Sequence, residues 1–391
     1  ICVVLSQLST VWNGSLVGLL RTLTMLGLPA HAPLLGAIQN EVLWRIRRLS
    51  YRHLSYLADW VAFQRKMGYE NEVLTSTLLK QLELRWTELS DSRTITILMG
   101  RASLFTPSLM DKLEDKHYVS NSEKYSTLQM CNLLMAFAKL NFQLGKEQFY
   151  LKVHKALEDS FTSLEPFLKT DLVWSLCVLN QANSDYISSV IKPDFQKKLS
   201  GGIEGRTENY RQKLLNICAY AQLEPLGLAV DASAVLLPDR QSKAESSTSA
   251  LQKTLHTALW SLANERKQAL HTAVKTLYGW TIDGELVVDS ENKPIDMENF
   301  KAPHLPEGGG ADALPEGTRR IAFVAWDFSN FCLKSKDLLG RFAMQKRHLQ
   351  LAGFIVVEVP YFEFLELKSD WQKVAYLKDK LGKAVAEEMA K

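Results

Sequence analysis

Lys334 and Lys336, followed by Arg341, Lys346, Arg347 and His348, have the residue types and spacing to hold phosphate. Arg341, Gln345 and His348 fall at i, i+4 and i+7 of a helical pattern, so they form one polar stripe. Lys346 and Arg347 add charge on other faces, and phosphates are attracted to such a group whatever the base sequence. Trp326, Phe328, Phe331, Tyr361 and Phe362 lie close by in the chain. Exposed rings of this kind stack unpaired bases, although beside apolar strands the same rings serve as core. A second basic group, Arg45, Arg47, Arg48 and Arg52, follows the helical pattern of Leu34–Ile46. The chemistry that both groups point to is capture of a single-stranded polynucleotide by charge and stacking. The competing reading is a plain solvated face.

Other chemistries are excluded by what the chain lacks. A protein kinase needs a glycine-rich phosphate cover, a strand lysine and catalytic and metal-binding aspartates. The sequence has no GxGxxG, no HRD and no DFG. Gly308–Gly310 are not followed by Lys-Ser/Thr, so a P-loop is absent too. The eight histidines form no HExxH. The five cysteines (Cys2, Cys131, Cys177, Cys218, Cys332) form no CxxC, which argues against structural zinc and a disulfide scaffold.

The elements that must position these residues are mostly helical. The chain has 391 residues, 46% hydrophobic and 23% charged, with a net charge of +3. Residues 1–200 carry net +4, 201–318 net −5 and 319–391 net +4, which favours a polyanion at the two ends. In residues 1–200, helical patterns close at Leu26, Met67, Leu104, Leu140 and Leu179, each soon followed by Gly, Pro, Asn or Gln. Two helices per repeat at such intervals predict an α-solenoid-like domain; an irregular helical domain is the alternative. Residues 1–20 and 22–40 are uncharged, but their polar residues and prolines fit buried helices better than a membrane span. Residue 1 is Ile, which predicts a chain that begins inside a longer precursor.

Residues 201–300 read as a helical region, with Leu251–Leu277 as one helix and a hairpin turning at Asp283-Gly284. Residues 301–318 contain three prolines and four glycines and read as a linker. Residues 319–391 alternate strand and helix: Ile321–Trp326, Leu338–Leu351, Phe354–Val359 and Trp371–Met389. This is a small α/β module with strands apolar enough to be covered on both faces.

The stretch IAFVAWDFSNF…KDLLGRFAMQKRHLQLAGFIVVEVPYFEF resembles the RAP domain, a small module associated with RNA. Asp171–Gln181 (DLVWSLCVLNQ) and the helices of 251–280 are similar to the two regions that precede RAP in the FAST kinase domain-containing family. The resemblance covers residues 160–391, and the N-terminal helices fit it loosely. It implies a mitochondrial matrix protein that binds single-stranded mitochondrial transcripts and supports their stability or processing. It also implies a RAP module like the PD-(D/E)xK nuclease fold, in which two acids hold a divalent metal and a lysine steadies the attacking water. Asp327 and Glu358 match the two acidic positions, both at strand ends. Pro360 stands where the lysine belongs, with Lys334, Lys336 and Lys368 as loop substitutes. Mg²⁺ or Mn²⁺ is implied only if that nuclease reading holds. The structural alternative is that Asp327 caps the strand or pairs with Arg341, and that Glu358 makes a salt bridge. A metal-dependent endoribonuclease and a protein-interaction scaffold are thus the alternatives to an RNA binder.

Overall fold

The computed structural model describes residues 7–29, 31–66, 71–88, 125–143, 147–200, 204–224, 232–237, 248–332 and 336–390, with positions 69, 94, 97, 98, 226, 228 and 230. Lys334, Met67 and Leu104 lie outside the described residues. The chain forms two compact units, residues 1–160 with 332–337, and residues 161–331 with 338–391. It is mostly helical, with a small mixed sheet toward the C-terminus.

The first unit contains α1 (Asn13–Met25), α2 (Pro33–Arg45), α3 (Tyr51–Lys66), α4 (Glu72–Leu84), α5 (Thr127–Leu140) and α6 (Glu147–Ser160). Their apolar stripes supply the core, with Leu16, Leu20, Ile38, Leu54, Leu57, Leu74 and Phe137 buried. Local chemistry sets the ends. Asn71 accepts from the Leu74 N–H at 3.1 Å, Ser126 and Gln129 form a capping box, and Asn141 closes α5 at φ 54°. No described helix is long and apolar enough to cross a membrane.

The second unit opens with α7 (Pro166–Val178), α8 (Ser184–Ile191), α9 (Pro193–Lys197) and α10 (Glu204–Leu223). Then follow α11 (Ala250–Leu262), β1 (His271–Lys275), β2 (Thr281–Val288), β3 (Pro294–Ile295), β4 (Arg319–Trp326), α12 (Gly340–Leu351), β5 (Ile355–Pro360), α13 (Tyr361–Phe364) and α14 (Asp370–Met389). The sheet order is β1-β2-β4-β5, with β3 beside β2. Pairs β1/β2 and β2/β4 are antiparallel, and β4/β5 is parallel. Strand alternation sends Ile321, Phe323 and Ala325 into a core with α11 and α14. Ala322, Val324 and Trp326 face the opposite core, with Leu349 of α12. Both faces are covered, as the apolar run of β4 predicts.

Three readings of the middle region need correction. The helix expected over Leu251–Leu277 stops at Leu262. Asn264 and Glu265 adopt φ 53° and 59°, and the chain re-emerges as β1. The turn expected at Asp283-Gly284 is the interior of β2. The β1/β2 turn lies at Gly279 (φ 74°) instead. Gly284 serves packing, since a Cβ there would meet Leu259 Cδ1 of α11 at 2.3 Å. Residues 301–318 are not a free linker. Phe300 bridges Asp312, Lys301 bridges Gly309, and Ala302 and His304 are buried.

α11 begins with a capping box, in which Ser249 Oγ accepts from the Gln252 N–H and Gln252 Oε1 from the Ser249 N–H. The same Gln252 donates to Asp283 at 2.8 Å. Ser249→Ala is expected to cost about 1 kcal/mol, read as a lower urea midpoint at unchanged slope.

Candidate nucleic-acid interface

The parallel pair β4/β5 ends at one edge of the sheet, and α12, the crossover between them, begins at that same edge. Ligands of open α/β sheets bind outside the carboxyl ends of their strands. Leaving β4, Asp327 caps a short turn, its N–H donating to Asn330 Oδ1 at 2.5 Å. The loop is tied to the start of α12 by the Phe331–Leu338 bridge and by Leu339 N–H donating to Asn330 O at 2.9 Å. Leaving β5, the chain turns at once into α13.

Four half-buried rings meet between these two exits. Phe328–Tyr361, Phe331–Phe362 and Tyr361–Phe362 have centroids 5.4, 5.5 and 5.3 Å apart. Trp326, the fifth ring expected to stack bases, is instead core. It packs on Phe342, and its indole N–H donates to Glu358 at 2.9 Å. Two residues after the tie at Leu339, Arg341 in the first turn of α12 has an exposed side chain, although surrounding protein pulls its guanidinium below the usual range, and it has no hydrogen bond or ion pair among the described residues. A cation there opposes the helix dipole.

The acidic pair is not assembled. Glu358 stands opposite Val324 in the ladder, while Asp327 lies three residues further along, an offset of roughly 10 Å at the usual strand rise. The Glu358 carboxylate is occupied by Lys346 Nζ at 2.5 Å and by Trp326. The salt-bridge alternative for Glu358 therefore holds, with Lys346 as partner. With that offset, and with Glu358 held by Lys346, the two carboxylates do not converge on a shared position for Mg²⁺ or Mn²⁺.

The acid that does lie near Asp327 is Asp283, which the sequence reading placed in a turn. It is buried in β2, with Oδ2 accepting from the Ala325 N–H at 2.7 Å and Oδ1 from Gln252. Burial pushes its carboxyl up, with the Asp327 charge adding to the rise; the two hydrogen bonds and His256 oppose it. A lone aspartate in an apolar strand run was the signal for it.

The predicted cations of α12 separate sharply. Lys346 is half-buried in its pair with Glu358. α12 packs against β5 and the helices α7 and α10, and of its polar stripe Gln345 and His348 face protein while Arg341 does not. Gln345 donates to Thr281 O at 3.0 Å. His348 is fully buried (0% exposed) and accepts from Trp280 Nε1 at 3.1 Å through Nδ1, between Trp280 and Tyr220. Arg347 donates to Glu224 at 2.7 Å and to the carbonyls of Cys177 and Val178 at 2.9 and 3.3 Å. Those carbonyls lie in the last turn of α7; that of Cys177 also accepts the Asn180 N–H at 3.3 Å. Arg347 and His348 are thus internal cement and not an RNA face. Lys336 is exposed at φ 55°.

In the first unit Arg45 is also internal. It donates to the carbonyls of Leu8, Ser9 and Val11 and pairs with Glu41 at 2.6 Å. Arg47, Arg48 and Arg52 are exposed. Arg48 sits 5.2 Å from the ring of Trp44, which is 70% exposed, and Arg52 donates to Tyr56 Oη at 3.2 Å. Cations alternate here with aromatic faces, the composition of a stacking platform for unpaired bases.

Three family models match the chain: FAST kinase-like protein, subdomain 1, at residues 130–200; FAST kinase-like protein, subdomain 2, at 211–296; and the RAP domain at 324–380. The chain is 34% identical to FAST kinase domain-containing protein 4 of Rattus norvegicus, over 99% of this chain and 79% of that protein. It is 33% identical to the protein of the same name from Homo sapiens, over 100% and 79%. It is 30% identical to FAST kinase domain-containing protein 3, mitochondrial, of Homo sapiens, over 68% of this chain and 39% of that protein.

Proposed function

The chain belongs to the FAST kinase domain-containing family, and from this premise we propose that it is a mitochondrial RNA-binding protein supporting the stability or processing of mitochondrial transcripts. The mitochondrial assignment draws on relatives whose names carry that word. The observation that carries the RNA reading is the unpartnered Arg341, two residues after the tie at Leu339, together with the shelf of Phe328, Phe331, Tyr361 and Phe362. A guanidinium attracts a backbone phosphate while partly exposed rings accept unstacked bases, which is how single strands are held with little sequence preference. The Trp44, Arg48 and Arg52 face is a second surface of the same chemistry in the first unit.

Fluorescence anisotropy with a labelled single-stranded RNA tests the reading. Arg341→Ala is expected to weaken binding about tenfold and to lower the slope of log affinity against log salt by about 0.7, the loss of one phosphate contact. Lys383→Ala, which removes an exposed lysine already paired with Asp379, serves as control and should change neither. Equal affinity and slope for Arg341→Ala and the parent would reject the proposed contact.

A further inference from the structure

The opposite edge of the sheet, at the amino ends of β4 and β5, holds a cavity of about 450 Å³. Its size lies within the range of small-molecule sites, roughly 300–1,000 Å³. It is bounded by the 301–318 segment, the strand starts at Arg319, Arg320 and Ile355, the residues after α12, and the last turn of α14.

The lining is divided chemically. Pro303, Leu314, Ile355 and Met389 make an apolar wall. Lys301 and Arg319 also line it, and neither has an acidic partner among the described residues; Arg319 touches the wall itself, at Met389 Sδ, 3.4 Å away. Glu388 is the single acid among the lining residues.

Beneath them lies a buried ionic network. Glu285, fully enclosed in β2, pairs with Arg320 and lies 3.5 Å from His271 and 3.1 Å from His304. Arg320 also donates to Lys301 O at 2.8 Å, which fixes the backbone that carries Lys301. His304 Nε2 is buried against the Glu285 carboxylate and helps hold it ionised. Buried ions are costly unless paired and hydrogen-bonded, and replacing such a network by apolar residues usually costs nothing. This network instead holds Arg320 and His304 rigidly in the cavity lining. With Glu285 offset by Arg320, the lining charges leave Lys301 and Arg319 in excess over Glu388.

We infer that this cavity binds a phosphomonoester carried on a flat heterocycle, of nucleoside monophosphate size. Lys301 and Arg319 take the phosphate, and the wall of Pro303, Leu314 and Met389 takes the ring. Both sources of that chemistry, a free nucleotide and the 5′-phosphate end of an RNA, would satisfy the same groups. The cavity lies at the end of the parallel strands opposite Arg341 and the aromatic shelf, so it is a second site and not part of the proposed RNA surface.

Isothermal titration of the full chain with AMP, GMP, CMP and UMP, with the matching nucleosides and with inorganic phosphate, tests this. At least one nucleotide is expected to bind saturably below about 1 mM, with its nucleoside weaker by about tenfold or more. Lys301→Ala and Arg319→Ala, both at the rim, should each weaken it by about tenfold. Leu314→Trp should abolish binding by filling the cavity while leaving the thermal midpoint unchanged. Arg341→Ala should leave nucleotide affinity intact, which separates this site from the RNA surface. Short RNAs with a 5′-phosphate or a 5′-hydroxyl identify the source: preference for the phosphorylated end marks an RNA terminus, and preference for mononucleotides marks a free ligand. No saturable binding, equal binding of nucleoside and nucleotide, or binding that survives both cation removals and Leu314→Trp would overturn the assignment.

Discussion

Arg347→Ala is expected to destabilise the chain by about 3 kcal/mol, because three charge-assisted hydrogen bonds vanish and a mostly buried carboxylate is stranded. Arg347 is 25% exposed and Glu224 13%, so solvent compensates little for either group. The Val178 carbonyl at the end of α7 loses its guanidinium donor as well, and that of Cys177 keeps only backbone N–H donors. Arg347 joins α12 of the RAP module to α7 and α10, so the loss falls on the packing between the sheet and the helices before it. A thermal midpoint lower by several degrees is expected, since 1 kcal/mol moves domains of this size by about 2–4 °C. Arg347→Lys keeps the charge but loses the fork that reaches two carbonyls and a carboxylate, so it should recover only part of the loss. RNA affinity measured well below the midpoint should be unchanged. Weakened RNA binding at full stability would return Arg347 to the surface role that its sequence position suggests.

Acidification from pH 7 to pH 5 should remove about 2 kcal/mol of stability through His348 alone. Burial, aided by the Arg347 charge, pulls the imidazole down to about 3. The folded state thus prefers the neutral ring, while the unfolded chain binds a proton near pH 6.5. A depressed folded-state value means that the contribution is complete above pH 6.5 and falls away as pH drops toward 3. The groups around the ring do not reverse this. Trp280 donates to it, Tyr220 packs on it, and the nearest charge is cationic. Urea denaturation at both pH values, compared with His348→Gln, isolates the effect. The variant should show a shallower dependence on pH, and parallel curves for the two proteins would show that His348 does not carry it.

Within the RAP module the sequence announced its own elements to within two residues. β4, α12, β5 and α14 all appear where apolar runs and turn residues placed them. Those signals are local: a strand covered on both faces reads as an unbroken apolar run, and Gly353 ends a helix whatever lies around it. The middle region was misread because its signals depend on neighbours. Gly284 looks like a turn residue until Leu259 is seen pressed against its backbone. Asp283 looks like its companion until its carboxylate is seen accepting the Ala325 N–H.

Composition and spacing were sufficient to establish helices followed by a small α/β module and a surplus of cations at both ends, because propensity, period and charge belong to residues one at a time. Which cations reach solvent was settled by packing. Arg341, Arg347 and His348 are near neighbours on one helix and nearly equivalent as text, yet one is exposed, one rivets two helices and one is a neutral core group. The difference comes from α7 and α10, which reach Arg347 and His348 from more than a hundred residues away. Burial is a property of what lies opposite a side chain, and that partner is named only when distant segments meet.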